Sequence, residues 1–144
     1  MNNFSIKLNE LIKEYDISKR ELAKVLLLKE NSSLISKWTK GQQMPKLDMA
    51  IKLSNYFKCS LDYLFGDLNN LEEVDFIKNT PFDIQLKKIL KDKKIAQTKL
   101  VEDTNFSTGN LFSWFNKKSQ PNMTTVIELA EYLQVSLDYL AGRE

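Results

Sequence analysis

Residues 31–66 and 107–142 of this chain align without a gap at an offset of 76, and 11 of the 36 paired positions are identical. Each copy ends in S-L-D-Y-L-x-G (Ser60 to Gly66, Ser136 to Gly142) and carries a tryptophan, Trp38 or Trp114, 28 residues before that glycine. Upstream the match continues at an offset of 78, pairing Phe4 with Phe82, Leu8 with Leu86, Ile17 with Ile95 and Leu22 with Leu100. The first copy therefore holds two extra residues between Leu22 and Asn31. A duplication of this length constrains the architecture before any single residue is read. The chain reads as two small domains of one type, residues 1–66 and 81–144, joined by residues 67–80.

A unit of roughly 62 residues lies near the lower limit for an independent core, so each must pack tightly. No apolar run approaches the roughly 18 residues of a membrane span, and the first residues lack a signal-peptide pattern. The lone cysteine, Cys59, sits inside an apolar periodic stretch and reads as a small core residue. These features point to a cytoplasmic protein. There is no histidine, which removes Ser-His and Cys-His nucleophile activation and, with one cysteine, the usual zinc ligand sets. None of the four glycines forms a phosphate-cradling loop. No cofactor, no metal and no enzymatic activity is expected.

Net charge is only +2, but it is unevenly placed. Residues 1–66 hold 11 Lys/Arg against 7 Asp/Glu, residues 67–80 hold 1 against 4, and residues 81–144 hold 9 against 8. Positive charge concentrates in the first unit, and the joint between the units is acidic. Charge of this size suits nucleic acid but equally an ordinary solvated surface.

Periodicity predicts five short helices per unit. Phe4, Leu8, Leu11 and Ile12 fall on one helical face. Ser18-Lys19-Arg20-Glu21 is a capping box opening a second helix through Leu22, Ala23 and Leu26. Asn31 or Ser32 caps a third, which carries Ile35 and Trp38 inward and stops at Gly41. After Pro45 a fourth helix bears Leu47, Ile51, Leu53 and Phe57, and Ser60 caps a short fifth. Unit two repeats this with a first helix on Phe82, Leu86, Ile89 and Leu90, then Gln97 to Thr104, Ser107 to Phe115, Met123 to Leu133 and Ser136 to Ala141. In the joint, Leu71, Val74, Phe76 and Ile77 could form a short helix docked on a unit. The fold class is all-α. Trp38 and Trp114 follow Ile35 and Leu111 by three positions, which assigns them to the core and not to stacking on bases; the paired Asp62/Asp138 and Tyr63/Tyr139 read as capping and packing.

Each unit resembles the five-helix DNA-binding domain of the lambda repressor and Cro-like (XRE) family. In unit two the resemblance rests on Gln97, Leu100, Val101, Phe106, Ser107, Leu111, Trp114 and Pro121, then I-x-L-A-x-Y-L-x-V-S-L-D-Y-L. In unit one it rests on R-E-L-A-K, S-L-I-S-K-W-T-K-G-Q-Q-M-P and I-K-L-x-x-Y-F-x-x-S-L-D-Y-L-F-G. The resemblance implies a second helix lying across the DNA backbone and a third entering the major groove. It places Ser18 and Lys19, and in unit two Gln97, against phosphate. It places Ser32, Ser33 and Lys37, and in unit two Thr108, Gly109, Asn110 and Ser113, towards the bases. The loops after the third helices, Lys40, Gln42 and Gln43 or Asn116, Lys117 and Lys118, would grip the backbone. The chain departs from the family pattern in its longer first turn, L-L-L-K-E-N-S-S, and in Lys117 standing where a glycine is usual. Neither reading face contains arginine, so the bidentate contact to guanine is missing and readout leans on Lys37, the hydroxyls, Asn110 and DNA shape.

The expected function is a sequence-specific, double-stranded DNA-binding transcriptional regulator, in repressor mode, whose two units grip one site. A joint of about 15 residues can span up to roughly 50 Å, enough for recognition helices one DNA turn apart. In a close variant unit two serves dimerisation, giving a homodimer, or receives a protein partner. The alternative from another class is a protein-binding inhibitor or adaptor of phage or plasmid type on the same fold. No membrane is expected among the partners.

Overall fold

The computed structural model describes residues 2–26, 32–67, 74, 76 and 78–144. Among them stand ten α-helices and no strand beyond isolated bridges. Unit one contributes α1 (Asn3–Glu14), α2 (Lys19–Val25), α3 (Ser33–Thr39), α4 (Leu47–Tyr56) and α5 (Leu61–Phe65). Unit two contributes α6 (Phe82–Asp92), α7 (Gln97–Asp103), α8 (Thr108–Phe115), α9 (Met123–Leu133) and α10 (Leu137–Leu140).

Six of the ten helix starts, those of α1, α2, α5, α8, α9 and α10, carry a side-chain cap. Asn2 accepts from the Ser5 amide, Ser18 from Glu21, Ser60 from Tyr63 and Ser136 from Tyr139, at 2.8 to 3.1 Å. Each such cap contributes about 1 kcal/mol by satisfying an orphan amide. Ser107 and Asn110 form a complete capping box at the start of α8. The third helix of unit one differs: Ser32 stands at its N-cap, with ψ near 2°, and makes no side-chain cap bond. That is a correction to the predicted Ser32 cap, because only an extended N-cap aims its hydroxyl at the following amides. Asn31, and the two-residue surplus expected between Leu22 and Asn31, lie within or beside 27–31, outside the described residues.

Each unit wraps its helices round the predicted apolar positions. α1 packs on α3 and α5, and α6 on α8 and α10. Trp38 is 1% exposed and Trp114 5%, so both are core residues. Trp114 meets Phe82 and Phe106 edge to face, while Phe4 stacks on Phe65 with centroids 4.4 Å apart. Complete burial of side chains of this kind contributes about 1.5–3 kcal/mol each. Cys59 is fully buried, and burial pushes its thiol up to about 11, which keeps it unreactive.

The duplication extends to the backbone. Left-handed residues recur at equivalent turns: Asp16 and Lys94, Gly41 and Lys117, Lys58 and Gln134. The contacts between units are also duplicated. Lys46 and Asn122, equivalent at the offset of 76, form an antiparallel bridge with each other. The Leu47 amide donates to the Pro121 carbonyl, and the Met123 amide to Pro45, at 2.9 and 3.0 Å. Asp62 accepts from the amides of Leu137 and Asp138, and Asp138 from those of Leu61 and Asp62. Helix α4 packs on α9 and α5 on α10, and the apolar residues of both units join in one cluster. Such self-complementary pairing is the signature of a two-fold, isologous interface. Here it lies within one chain.

The described part of the joint is not helical. Lys78 and Glu144 exchange backbone hydrogen bonds, and the Thr80 amide donates to the Gly142 carbonyl, so the joint runs antiparallel to the chain end. The Val74 amide donates to the Lys58 carbonyl on unit one. These backbone partners replace the intrahelical ones that a helix over Val74 and Phe76 would supply; Leu71 and Ile77 lie outside the described residues. Gly142 is required in this arrangement: its φ is +82°, and a Cβ there would lie 2.0 Å from the Thr80 oxygen.

Candidate nucleic-acid interface

The second and third helices of each unit present the residues singled out from the sequence. Ser18 is exposed and Lys19 half-buried at the start of α2. Ser33 and Lys37 are exposed on α3, with Ser32 half-buried at its start, and Lys40, Gln42 and Gln43 are exposed in the loop after it. In unit two, Gln97, Thr108, Gly109 and Asn110 are exposed and Ser113 half-buried, followed by exposed Asn116, Lys117 and Lys118. Ile35 and Trp38, or Leu111 and Trp114, turn inward and fix which helical face remains outward.

The turn that ends each third helix is the same. The Gln42 amide reaches the Lys37 carbonyl and the Gly41 amide the Trp38 carbonyl; Lys118 to Ser113 and Lys117 to Trp114 repeat them. This is a Schellman turn, whose C′ residue must be left-handed. Gly41 takes φ +73° without a Cβ penalty, whereas Lys117 is held at +57°. A β-carbon in that region costs on the order of 1 kcal/mol. Lys117 thus sits at the glycine position with its backbone unchanged, and its exposed ammonium is added at the end of the helix.

The two faces differ chemically. The Asn110 side-chain oxygen accepts from the Ser107 amide at 3.0 Å and the Ser107 hydroxyl at 2.7 Å. Its carbonyl is therefore committed to the capping box, and the bidentate adenine contact, which needs both oxygen and NH2, is available only if that box opens. The Asn116 NH2 donates back to the Phe112 carbonyl at 2.8 Å, so this residue also caps its own helix. Lys118 lies over the Phe112 ring, 4.9 Å from its centroid.

Phe112 was not among the predicted reading residues. It is 55% exposed on α8, whereas its counterpart on α3 is Ser36. Its position one residue after inward Leu111 was the available signal. An aromatic edge on such a helix suits contact with a thymine methyl group. On α7, Asp103 pairs with Lys99 at 3.2 Å and accepts from the Tyr132 hydroxyl at 2.7 Å, and these bonds hold its carboxyl below the usual range.

Charge follows the same division. Between Ser18 and Gln42 there are six Lys/Arg and two Glu; between Ala96 and Lys118 there are three Lys, one Glu and one Asp. Among the described residues no group of histidine, cysteine or acidic side chains could hold a metal ion. No helix among them is long and apolar enough to cross a membrane.

The family model described as helix-turn-helix matches the chain twice, over residues 8–64 and 86–140. No curated protein and no solved structure gives a match. The two matches cover most of the chain and coincide with α1–α5 and α6–α10. By these matches, and by a second and third helix in each unit with their outer face open, the chain belongs to the XRE or lambda repressor-like helix-turn-helix family, and it carries that DNA-binding domain twice.

Proposed function

We propose that the protein is a transcriptional regulator that reads one bipartite DNA site with both helix-turn-helix units, a dimer written into a single chain. The observation that carries this reading is the reciprocal pairing of Lys46 with Asn122 and of Asp62 with Asp138. Two-fold pairing is how helix-turn-helix proteins present two recognition helices to successive half-sites, about 34 Å apart. Residues 1–66 and 81–144 then act as the two DNA-binding domains and 67–80 as their joint. Occupying a site that overlaps a promoter gives repression.

Ser18, Lys19 and Gln97 hold phosphates, together with Lys40, Gln42, Gln43, Asn116, Lys117 and Lys118. Ser32, Ser33 and Lys37 face bases on one half-site, and Thr108, Gly109, Asn110 and Ser113 on the other. Because the two reading helices differ in sequence, the site is non-palindromic. Fixing the units against each other removes the entropy of bringing a second reader to its half-site, so a weak second grip still adds affinity.

A second reading, in which unit two contributes mainly pairing or protein contact, draws support from its smaller positive charge and from exposed Phe112. Selection from a randomised DNA pool, followed by anisotropy titration at two salt concentrations, tests both. Two-site reading predicts an enriched bipartite site and a log-log salt slope of roughly −4 to −8. A footprint confined to the unit-one half-site would favour the second reading. No enrichment, with a stable co-purifying protein, would favour the protein-binding alternative.

A further inference from the structure

At the ends of α5 and α10 the internal two-fold breaks in backbone and in chemistry: Gly142 is left-handed at φ +82°, whereas its counterpart Gly66 is extended at φ −104°. Arg143 is the counterpart of Asp67 at the offset of 76. Its guanidinium is buried, with Nη1 2.8 Å from Asp138 Oδ1, Nη2 2.9 Å from Asn55 Oδ1, and its carbon 4.2 Å from the Phe76 ring centroid. Carried across the two-fold, the acceptors of this socket become Asp62 for Asp138 and Glu131 for Asn55. Both line, together with Asp67, a single cavity of about 360 Å³ between the end of α5 and α9. The same fold elements that hold a guanidinium on one side are thus repeated on the other. There, Asn55 is replaced by a carboxylate and the residue equivalent to the arginine is itself acidic; among the described residues the lining carries no lysine or arginine, and Lys7 Nζ, held on the Tyr63 and Gly66 carbonyls, stands beside it.

We propose that this cavity binds a guanidinium group supplied from outside the chain, by a free guanidino compound or by an arginine side chain. Asp62 and Glu131 accept its two donor edges, as Asp138 and Asn55 do for Arg143, and Asp67 adds charge at the mouth. The cap that Asp62 makes to Leu137 and Asp138 does not exhaust it, since each carboxylate oxygen has two lone pairs. Asp138 already serves two amides and a guanidinium together. The planar fork of a guanidinium fits two such acceptors better than an ammonium point charge does. Because α5 belongs to unit one and α9 to unit two, the bound group fastens the units together, and mass action raises the stability of the pair.

The test titrates the full chain with free arginine, with end-blocked Gly-Arg-Gly, and with lysine, following amide shifts by NMR. Saturable binding of at least one arginine probe is expected, weakened about tenfold or more in Glu131→Gln and in Asp67→Asn, with lysine far weaker. Binding of free arginine alone marks a small-molecule source; binding of the blocked peptide marks a side-chain source. An Asp67→Arg chain should fill the cavity from within, raising Tm by about 2–4 °C and abolishing probe binding. No saturable binding of either arginine probe would overturn the proposal. So would equal binding of lysine, binding unchanged by Glu131→Gln, or undiminished binding in Asp67→Arg.

Discussion

Units one and two share a backbone but not a surface. Three pairs of left-handed turns, the inward tryptophans and the Schellman endings coincide, yet the helix-turn-helix segment of unit one carries a net charge of +4 and that of unit two only +1. Asn110 and Asn116 spend polar groups on capping their own helix, and Asp103 sits on the second helix of unit two. Duplication preserves what the core demands, because an inward Leu or Trp has few substitutes in a close-packed interior. The exposed face is free to diverge, and there the two units have taken different chemistry.

The sharpest way to break the comparison is through the two equivalent aspartates. Asp138 is buried and pairs with Arg143, whereas Asp62 lies half-buried and serves as a helix cap. Removing one member of a buried pair leaves an uncompensated charge, so Asp138→Ala or Arg143→Ala should cost about 3–5 kcal/mol. Asp62→Ala loses a helix cap and should cost only about 1–2 kcal/mol. Denaturant unfolding of the three variants checks the order. Equal losses at Asp62 and Asp138 would mean that the interface is energetically symmetric.

How much of this was legible in the sequence depends on how far apart the interacting residues lie. Helices α1–α10 and the burial of Trp38 and Trp114 follow from periodicity within each unit, read twice at offsets 76 and 78. The capping role of Asp62 and Asp138 was also legible in kind, but not its target. Each caps the other unit's short helix across about 75 residues, and no local spacing encodes that. Arg143, one of only two arginines, follows a glycine and carries no periodic signal, so its socket was invisible. At the candidate interface, the placement of Lys37 and Lys117 followed from the repeat. The diversion of Asn110 into a capping box did not, since serine three residues before asparagine suits either role. Phe112 was legible from its place one residue after inward Leu111, but an aromatic residue on an apolar stretch is first read as core.

A second asymmetry is one of protonation. Burial first, and the neighbouring Asp62 carboxyl second, push Asp138 up to about 6, against the opposing pull of the Leu61 and Asp62 amides and of Arg143. An unfolded aspartate titrates near 3.9. Between these values the native protein keeps a proton that the unfolded chain has released, so stability falls as pH rises from about 4 to about 6. The loss is on the order of 2–3 kcal/mol. Denaturation midpoints at several pH values, for the natural chain and for Asp138→Asn, should show that fall in the former and a flatter profile in the latter. Matching profiles would assign the titration elsewhere.

On DNA, the charge difference predicts unequal partners. Reversing Lys37 and Lys40 together should weaken binding by about a hundredfold at moderate salt, and reversing Lys117 and Lys118 by about tenfold. The Lys117/Lys118 pair, both on phosphate, should also flatten the salt slope by about 2, and the Lys37/Lys40 pair, with Lys37 facing bases, by about 1. Losses of similar size would show that the two units grip alike. No loss from the second pair would reduce unit two to a pairing domain.

The smallest effect isolates one residue in which fold and site compete. Lys117 occupies a left-handed C′ position that its counterpart Gly41 fills without strain. Lys117→Gly should therefore stabilise the protein, by about 0.5–1 kcal/mol, because relief of the Cβ clash exceeds the added freedom of the unfolded chain. Gly41→Ala should destabilise it by a similar amount or more. If Lys117 was retained for its ammonium, the stabilised Lys117→Gly chain should bind DNA several-fold more weakly and lose about one unit of salt slope. Higher Tm with undiminished affinity would mean that the strain serves no DNA contact. Lower Tm would mean that the Lys117 stem packs on the surface strongly enough to repay its backbone. Only a rise in stability joined to a fall in affinity fits a lysine that is held in a glycine's place to touch phosphate.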